Sequence, residues 1–460
     1  MGSLTQDIGT FIADLRHEDL PAAATPVIRN GFTDYVATVV LGRNDEVTQC
    51  VTNTLVGGNE DQEARILFSA TRKSGPSAAL VNGVASHAQD YDDVGLVGIQ
   101  PTHPSASIAP AIFAEAETLQ CDGQAMIRAY VAAFEVWGEL ASRDPDPVHL
   151  KGWHPTGTFG AIAAAAAAAS LRGLSANAAA HAVSLAASMA SGVIANFGSM
   201  AKPYHAGRSA QSGVIAARLA AAGMTASRDA LESPLGFLSA ISPKGRADVH
   251  SPAQFHRRWF MESHGLGFKL FPICYGAHRA LDGILALLAK HPFQAEEVIS
   301  IEVESNQGQF SNLVQTNPQT VLDAKFSMEF AMACAVVAKR CTRAEFNLEF
   351  INRPDVRNLI SRTKRIYIDT KGHEGDGLIV QLNDGRRFEQ RFTYPLGHAR
   401  RPAPPDAFWT KFEDCVQDAF EPGVDRQLFE KLQSIDRLND LSQLPVTAGA
   451  RAAPRRSTTP

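Results

Sequence analysis

The feature that most constrains the fold is a run of seven successive alanines, Ala163–Ala169, inside the apolar segment Thr158–Leu171. This segment is 14 residues long, whereas a membrane-spanning helix needs about 20 apolar residues. Alanine has the highest helix propensity and a very small side chain, so neighbouring helices can approach closely around it. The run therefore predicts a buried helix in a close-packed helical core, not a membrane span.

Length and composition exclude several classes of protein. A chain of 460 residues is long enough for two domains. A net charge of −5 and a pI near 6.3 lack the basic field that nucleic-acid binding uses. The six cysteines are scattered without a CxxC pair, unlike a disulfide scaffold or a zinc ribbon. We therefore expect reduced thiols and a cytoplasmic protein that binds neither nucleic acid nor a membrane.

Hydrophobic periodicity changes along the chain. From Thr5 to about Gly265, apolar residues recur at three- and four-residue spacing, which predicts helices. After about Lys269, alternating residues predict strands, and an Asp-Gly pair predicts a tight turn between the last two of them. The predicted strands are Glu297–Glu304, Arg365–Asp369, Leu378–Leu382 and Arg386–Phe392, and the helices among them are Arg279–Lys290 and Phe326–Ala338.

These patterns predict a mainly α fold with two domains. A large all-helical domain spans residues 1–268 and is completed by helices within 403–447, so that a smaller α+β domain, residues 269–402, is an insertion. Residues 448–460 are mostly Ala, Arg, Pro, Ser and Thr, which predicts a disordered tail.

No Walker loop, GxGxxG, HExxH or GxSxG motif occurs in the sequence. Instead, polar residues cluster at the edges of apolar segments. The first cluster joins His87–Asp93 to His103, and on a helix Asp90 would share a face with His87 and Asp93. It is compatible with a metal site, a proton-transfer site or a solvated helix end, and metal is the least favoured because no carbonyl-rich loop accompanies it.

Three further clusters each leave two interpretations open. Pro155 suits a first helical turn, so His154 lies at a positive helix end, where it faces an anion or bonds a loop carbonyl. Lys202, His205 and Arg208 lie within seven residues and form an anion site or an exposed cationic face. In Lys269–His278, Cys274 is a nucleophile assisted by His278 or an inert buried thiol.

Together the clusters offer cations for a carboxylate substrate, and His, Asp and Lys side chains for proton transfer. This combination suits proton abstraction next to a carboxylate, followed by loss of a group or return of the proton.

Seven stretches of the sequence, in family order along the chain, resemble motifs of the MmgE/PrpD family. This family includes 2-methylcitrate dehydratases, cis-aconitate decarboxylases and iminodisuccinate epimerases. The matching stretches are Ala79–Gly83, His87–Asp93, His103–Ser105, Gly152–Thr156, Gly198–Arg208, Lys269–His278 and Ala324–Phe330.

The resemblance implies a helical domain with an α+β lid, a homodimer, and catalysis without metal or organic cofactor. Carried over by motif, Asp93, His103, His154 and Lys202 are expected to transfer protons and hold the substrate. Arg208, Lys269 and His278 are expected to bind substrate carboxylates or to support the structure. One departure from the family pattern is Cys274. The resemblance implies that animal cis-aconitate decarboxylases carry His at the position where this sequence has Cys274.

The resulting hypothesis is a cofactor-independent lyase, a dehydratase or decarboxylase, acting on a small di- or tricarboxylate. His103 or His154 takes the proton, Lys202 and Arg208 hold the anions, and Asp93 orients or relays protons. The alternatives are an epimerase of a dicarboxylate such as iminodisuccinate and a catalytically silent helical binding protein.

Overall fold

A computed structural model describes residues 3–55, 61–255, 257–310, 312–369, 375–417, 419–421 and 423–445. The chain divides into two compact units at Leu266/Gly267 and at Asp414/Cys415, so the first unit contains both chain ends. The tail predicted to be disordered, 448–460, lies outside the described residues.

The first unit is helical apart from strands of two residues: β1 (Ala64–Arg65), β2 (Arg72–Lys73) and β3 (Val94–Gly95), while β4 (Leu266–Gly267) spans the boundary. Strands β1 and β2 are antiparallel. Its helices are α1 (Leu4–Asp14), α2 (Ala24–Gly42), α3 (Glu46–Thr54), α4 (Gly75–His87), α5 (Pro104–Leu119), α6 (Gly123–Ala141), α7 (Pro155–Leu171), α8 (Ala176–Met189), α9 (Ala201–Ala221), α10 (Phe237–Ile241) and α11 (Phe260–Ser263).

The alanine run forms the centre of α7, which is buried from Pro155 to Ser170. Helix α7 contacts α5, α6, α8 and α9. Its surroundings leave no room for larger side chains, because a methyl carbon added at Gly213 of α9 would lie 2.4 Å from the Ala164 Cβ. The predicted buried helix is therefore confirmed, and the small residues of α7 and α9 set how closely the two helices approach.

The second unit is an α+β unit built on a four-stranded sheet. Its strands are β5 (Val298–Ser305), β6 (Thr363–Tyr367), β7 (Asp376–Leu382) and β8 (Arg387–Phe392), in the order β6-β5-β7-β8. Strands β5 and β6 are parallel, and the other pairs are antiparallel. Its helices are α12 (His278–Lys290), α13 (Gln307–Phe310), α14 (Val321–Ala324), α15 (Met328–Ala338), α16 (Leu348–Ile351), α17 (Pro354–Arg362) and α18 (Pro405–Val416), and α18 ends two residues past the boundary.

One core holds the sheet and its helices together, with Leu281, Phe330 and Val380 among its buried members. The tight turn predicted between β7 and β8 is confirmed, with Gly385 at φ 89°. Strand β6 begins two residues before the predicted Arg365, because it starts at Thr363, the residue directly after α17.

After the second unit the chain returns to the first unit through α19 (Val424–Leu432), which contacts α2. The predicted fold class, mainly α with a smaller α+β region, is confirmed. Among the described residues, the helices are all too short or too polar to cross a membrane.

The contact between α7 and α9 predicts that Gly213→Ala lowers the free energy of unfolding by about 1–3 kcal/mol. Helix propensity alone would favour alanine by about 1 kcal/mol, but the new methyl group meets the Ala164 backbone and Cβ. Urea unfolding followed by circular dichroism measures the difference. Ala221→Ser at the exposed end of α9 is the control and should change stability by less than about 0.5 kcal/mol. A Gly213→Ala protein as stable as wild type would contradict this packing.

Candidate active site

The site forms where the C-terminal end of α4 meets the N-terminal ends of α5, α7 and α9. His103 and His154 are the N-cap residues of α5 and α7, and in each case proline follows at the first helical position. The backbone N–H of His103 donates to the Thr156 hydroxyl at 3.3 Å, which joins the two helix ends. Helix N-termini carry partial positive charge, so this arrangement favours anions.

A loop returns the chain from the end of α4 to the start of α5. Gly95 and Thr102 exchange backbone hydrogen bonds at 3.0 and 3.2 Å, which closes the loop. The sequence placed Asp90 on a helix with His87, but α4 ends at His87 and Asp90 has a left-handed backbone with φ 53°. Asp tolerates this conformation better than most residues. Because the helix ends before them, the carboxylates of Asp90, Asp92 and Asp93 point in different directions.

Asp92 is shared by two histidines. Its Oδ2 lies 2.8 Å from the His87 Nδ1 and 3.2 Å from the His103 Nδ1. The two imidazole rings are 4.5 Å apart between centroids. The His103 Nδ1 also lies 2.9 Å from the backbone carbonyl of Asp93. Both Nδ1 atoms therefore face oxygen acceptors.

Asp90 pairs with the ammonium group of Lys202, at 2.5 Å. The same Asp90 oxygen is 4.0 Å from the His103 Nε2. Lys202 also lies over the ring of Phe197, 5.6 Å from its centroid. This buried ion pair places one cation and one carboxylate beside the Nε2 edge of His103.

Asp93 faces away from this edge. Its Oδ1 accepts a hydrogen bond from the Ser105 backbone N–H at 3.1 Å, and its Oδ2 lies 2.5 Å from the Ser105 hydroxyl. That hydroxyl is in turn 2.7 Å from the Tyr130 hydroxyl. Burial and the nearby Asp34 raise the pKa of Asp93 well above its usual range. Asp93 is therefore a buried carboxyl group whose surroundings favour its neutral form, and it contacts His103 through its backbone carbonyl.

His154 forms a pair with His205 of α9, their Nδ1 atoms 3.1 Å apart. In such a contact one ring donates and the other accepts, so two neutral rings share a single Nδ1 proton. Gly157 and Gly192 make room for this pair, because a methyl carbon at Gly192 would lie 3.1 Å from the His205 ring. The His154 ring is 6.3 Å from that of His87.

Burial and charge keep the inner histidines neutral. Burial, together with Lys202, lowers the pKa of His87 to about 4, against the opposing effect of Asp92. Burial and then Lys202 lower the pKa of His154 well below its usual range. The pKa of His205 is lowered by burial and by His87. Burial favours the neutral form of Asp92, but His87 and His103 outweigh it and hold the pKa of this carboxyl well below its usual range.

Four residues of the site could contribute ligand atoms to a metal ion. One atom each from His87, Asp90, Asp92 and His103 lie within 4.8 Å of one another, and zinc accepts histidine and carboxylate ligands. However, Asp90 already binds the Lys202 ammonium, and both Nδ1 atoms already contact Asp92. In this arrangement the four residues fit a metal ion poorly, because the Lys202 ammonium group already supplies the positive charge that balances Asp90.

The structure brings together four of the predicted residues, Asp93, His103, His154 and Lys202, within the first unit. Arg208 lies two turns further along α9 and donates to Gln211 at 2.7 Å. Lys269 and His278 belong to the second unit, where both are buried. The His278 Nε2 lies 3.1 Å from the Ile273 carbonyl and donates to it.

Sequence reasoning assigned no individual role to His87, Asp90 or Asp92, and it counted His205 only within a cationic cluster. The signal for Asp90 and Asp92 was their place beside His87, but the family resemblance pointed to Asp93. His205 follows Lys202 by three residues, one helical turn, and that spacing was available in the sequence.

Comparisons with known proteins agree with the motif resemblance. The profile described as the MmgE/PrpD N-terminal domain matches residues 6–250, and that of the MmgE/PrpD C-terminal domain matches residues 271–435. The chain is similar to a cis-aconitate decarboxylase of Mus musculus, with 27% identity over 383 residues, covering 80% of this chain and 77% of the relative. It is also similar to one of Aspergillus terreus (strain NIH 2624 / FGSC A1156), with 22% identity over 468 residues, covering 96% of this chain and 95% of the relative.

The raised pKa of Asp93 predicts how the stability of Asp93→Asn depends on pH. The carboxyl group contributes its full stability below the unfolded pKa of about 3.9, and loses about 1.4 kcal/mol per pH unit as pH rises towards the folded pKa. The advantage of wild type over Asp93→Asn should therefore shrink between pH 5 and pH 8 in urea unfolding. A difference that stays constant or grows with pH would show that Asp93 is ionised in the folded protein.

Proposed function

The chain belongs to the MmgE/PrpD family, and from this membership and the geometry of the site we propose that it is a lyase acting on a small di- or tricarboxylate. The observation that carries the proposal is a histidine with an available Nε2, His103, beside a buried ammonium group at three helix N-termini. The names of the relatives favour a tricarboxylate and release of carbon dioxide. Dehydration uses the same groups, because both reactions move a proton next to a carboxylate.

His103 is the proposed base. Its Nδ1 faces the Asp93 carbonyl and the Asp92 carboxylate, both acceptors, so the Nδ1 carries the proton. In the neutral ring the Nε2 then has a lone pair that can take a proton from carbon. In decarboxylation the same atom works in the opposite direction: His103 starts as the imidazolium ion, carbon dioxide leaves, and the Nε2–H donates its proton to the carbanion that remains.

Lys202 and the ends of α5, α7 and α9 are proposed to hold the substrate's carboxylates. Proton loss next to a carboxylate places enolate-like charge on its oxygens, and a fixed ammonium group with helix N-termini stabilises that charge. Asp90 holds the Lys202 ammonium in place at 2.5 Å. The sequence predicted that Asp93 orients groups or relays protons. In this proposal Asp90 does the orienting, because the Asp93 carboxyl group contacts Ser105.

The pair His154–His205 is the proposed acid. An added proton binds an outer Nε2, and movement of the proton between the two Nδ1 atoms, 3.1 Å apart, passes the positive charge from one ring to the other. An anionic substrate opposes the effect of Lys202, which together with burial favours neutral His154. A protonated His154 can deliver a proton from its Nε2 to a leaving hydroxyl in dehydration. Arg208, Lys269 and His278 are retained as proposed contacts to the substrate or supports of the fold.

Three expectations from the family resemblance remain proposals: a homodimer, a cytoplasmic location and catalysis without a metal or organic cofactor. Light scattering of the purified protein measures the first. Activity that survives dialysis against a chelator would support the third, and activity restored by a divalent metal would contradict it.

The proposed function predicts turnover of at least one member of a panel of acids. The panel is cis-aconitate, 2-methylcitrate, citrate and iminodisuccinate, with products followed by mass spectrometry and chiral separation in deuterated water. Loss of carbon dioxide or water supports a lyase. Inversion with one deuterium and no other change of mass identifies an epimerase, and binding without any change identifies a silent binding protein.

Removing the proposed base predicts a large loss of turnover. His103→Gln should lower kcat by about 10²–10⁴-fold, the usual contribution of a positioned acid or base. His149→Gln, at an exposed histidine of the same unit, is the control and should leave kcat unchanged. Near-normal turnover by a folded His103→Gln protein would contradict the assignment.

Lys202→Met alone leaves the buried Asp90 carboxylate without its ammonium partner, which costs about 3–5 kcal/mol of stability. The double variant Asp90→Asn/Lys202→Met removes both charges and should recover most of that stability, measured by urea unfolding. Its kcat should nevertheless stay at least 10²-fold below wild type, because the ammonium group is gone. Recovery of activity together with stability would exclude a role for Lys202 in the reaction.

A further inference from the structure

In the described bonds Asp92 contacts neither an ammonium group nor a backbone N–H, yet it is among the most buried carboxylates of the site. Its Oδ2 is 2.8 Å from the His87 Nδ1 and 3.2 Å from the His103 Nδ1, and its side chain is 1% exposed. One oxygen atom is thus placed against the same nitrogen of two imidazoles. The other nitrogen of His87, Nε2, is buried without a hydrogen-bond partner among the described residues.

This arrangement determines the tautomers of both rings. A carboxylate oxygen only accepts hydrogen bonds, so each Nδ1 that bonds Asp92 must carry a proton. For His103 the Asp93 carbonyl, 2.9 Å from the same Nδ1, imposes the same choice. When the rings are neutral, both Nε2 atoms are therefore unprotonated, and a proton taken by His103 gives an imidazolium ion directly beside the Asp92 charge.

We infer that Asp92 is a positioning residue that fixes His87 as its Nδ1–H tautomer, contacts the His103 Nδ1 that the Asp93 carbonyl also holds, and stabilises the positive charge that His103 gains in the reaction. The inference rests on the proposed function, since it assigns His103 as the base. His87 anchors the arrangement by holding the Asp92 carboxylate in place. Asp92 acts through the two histidines, not on the substrate.

The other charged groups around His103 cannot take this role. Asp90 lies on the Nε2 side of the ring, at 4.0 Å, and is bound to Lys202 at 2.5 Å. Asp93 meets His103 by its backbone carbonyl, while its carboxyl group bonds Ser105. Within the described residues, Asp92 is the carboxylate in contact with the His103 Nδ1.

The tautomers can be measured without any substrate. In protein labelled with [15N]histidine, long-range 1H–15N spectra distinguish the two tautomers, and His87→Gln and His103→Gln assign the signals. We expect both residues in wild type to have a protonated Nδ1 and an unprotonated Nε2. In Asp92→Ala, His87 should become a mixture of tautomers, whereas His103 should keep its Nδ1 proton through the Asp93 carbonyl. An Nε2–H tautomer of either residue in wild type would overturn the inference.

Kinetics test the charge of Asp92 separately. Asp92→Asn keeps the size and an acceptor oxygen but removes the charge, so kcat should fall by about 10²–10⁴-fold with KM changed less than about threefold. A nearby carboxylate favours the imidazolium ion, so its removal should move the acid limb of the kcat/KM profile to lower pH by about one unit or more. A purely structural role for Asp92 would lower the folded fraction without moving this limb, and that result would overturn the inference.

Asp45→Asn is the matched control. Asp45 caps α3 and bonds Gln89, close to the same loop, and asparagine also caps helices well. Its kinetics and histidine spectra should match wild type. If no acid of the panel is turned over while the spectra show the expected tautomers, the proposed function fails and the placement of Asp92 stands. If turnover is found but the tautomers differ, the inference about Asp92 fails alone.

Discussion

The close approach of α7 to its neighbours is the constraint on which the site depends. Alanine and glycine at the contacts allow α7 and α9 to touch along their backbones, as Gly213 against Ala164 shows. Small residues are also needed at the helix ends. A methyl carbon added at Gly157 would lie only 2.2 Å from the Ser191 carbonyl oxygen. The hydrogen bonds from Lys202 to Asp90, at 2.5 Å, and between His154 and His205, at 3.1 Å, join different segments and tolerate little movement. Larger side chains on α7 would separate the helix ends and with them His154, His205 and Lys202.

Charge in the site is balanced locally, although burial makes each charge costly. Lys202 neutralises Asp90, burial raises the pKa of Asp93 and so favours its neutral form, and the charge of Asp92 is stabilised by the two imidazoles that it contacts. Buried charged groups are rarely needed for stability, because a core in which well-packed apolar residues replace them is often as stable. Their accumulation at one place, with several strongly shifted pKa values, is typical of a functional site. The net charge of −5 therefore says little about the ligand.

Much of the fold and part of the site could be predicted from the sequence. The alanine run, the alternating strands and the Asp-Gly turn express local preferences, so their elements are where expected. His103, His154 and Lys202 were predicted because each lies in a stretch that resembles a motif of the family. The choice among the three carboxylates could not be predicted, because it depends on α4 ending at His87 and on the left-handed Asp90. Periodicity extrapolates a helix past its end and so placed Asp90 on a face with His87, whereas Asp93 was predicted from the family resemblance.

The two N-cap histidines differ in what their Nδ1 atoms face, and this difference separates their roles. The His103 Nδ1 faces a carbonyl and a carboxylate, which accept protons in hydrogen bonds but never supply them. The His154 Nδ1 faces another imidazole, which can do either. The first environment holds one tautomer and stabilises a cation, as a base requires. The second stores a proton without fixing its position, as an acid that must release it requires. Two residues with the same helix position and the same following proline therefore have opposite roles in the proposed dehydration: His103 accepts a proton from carbon, and His154 donates a proton to the leaving hydroxyl.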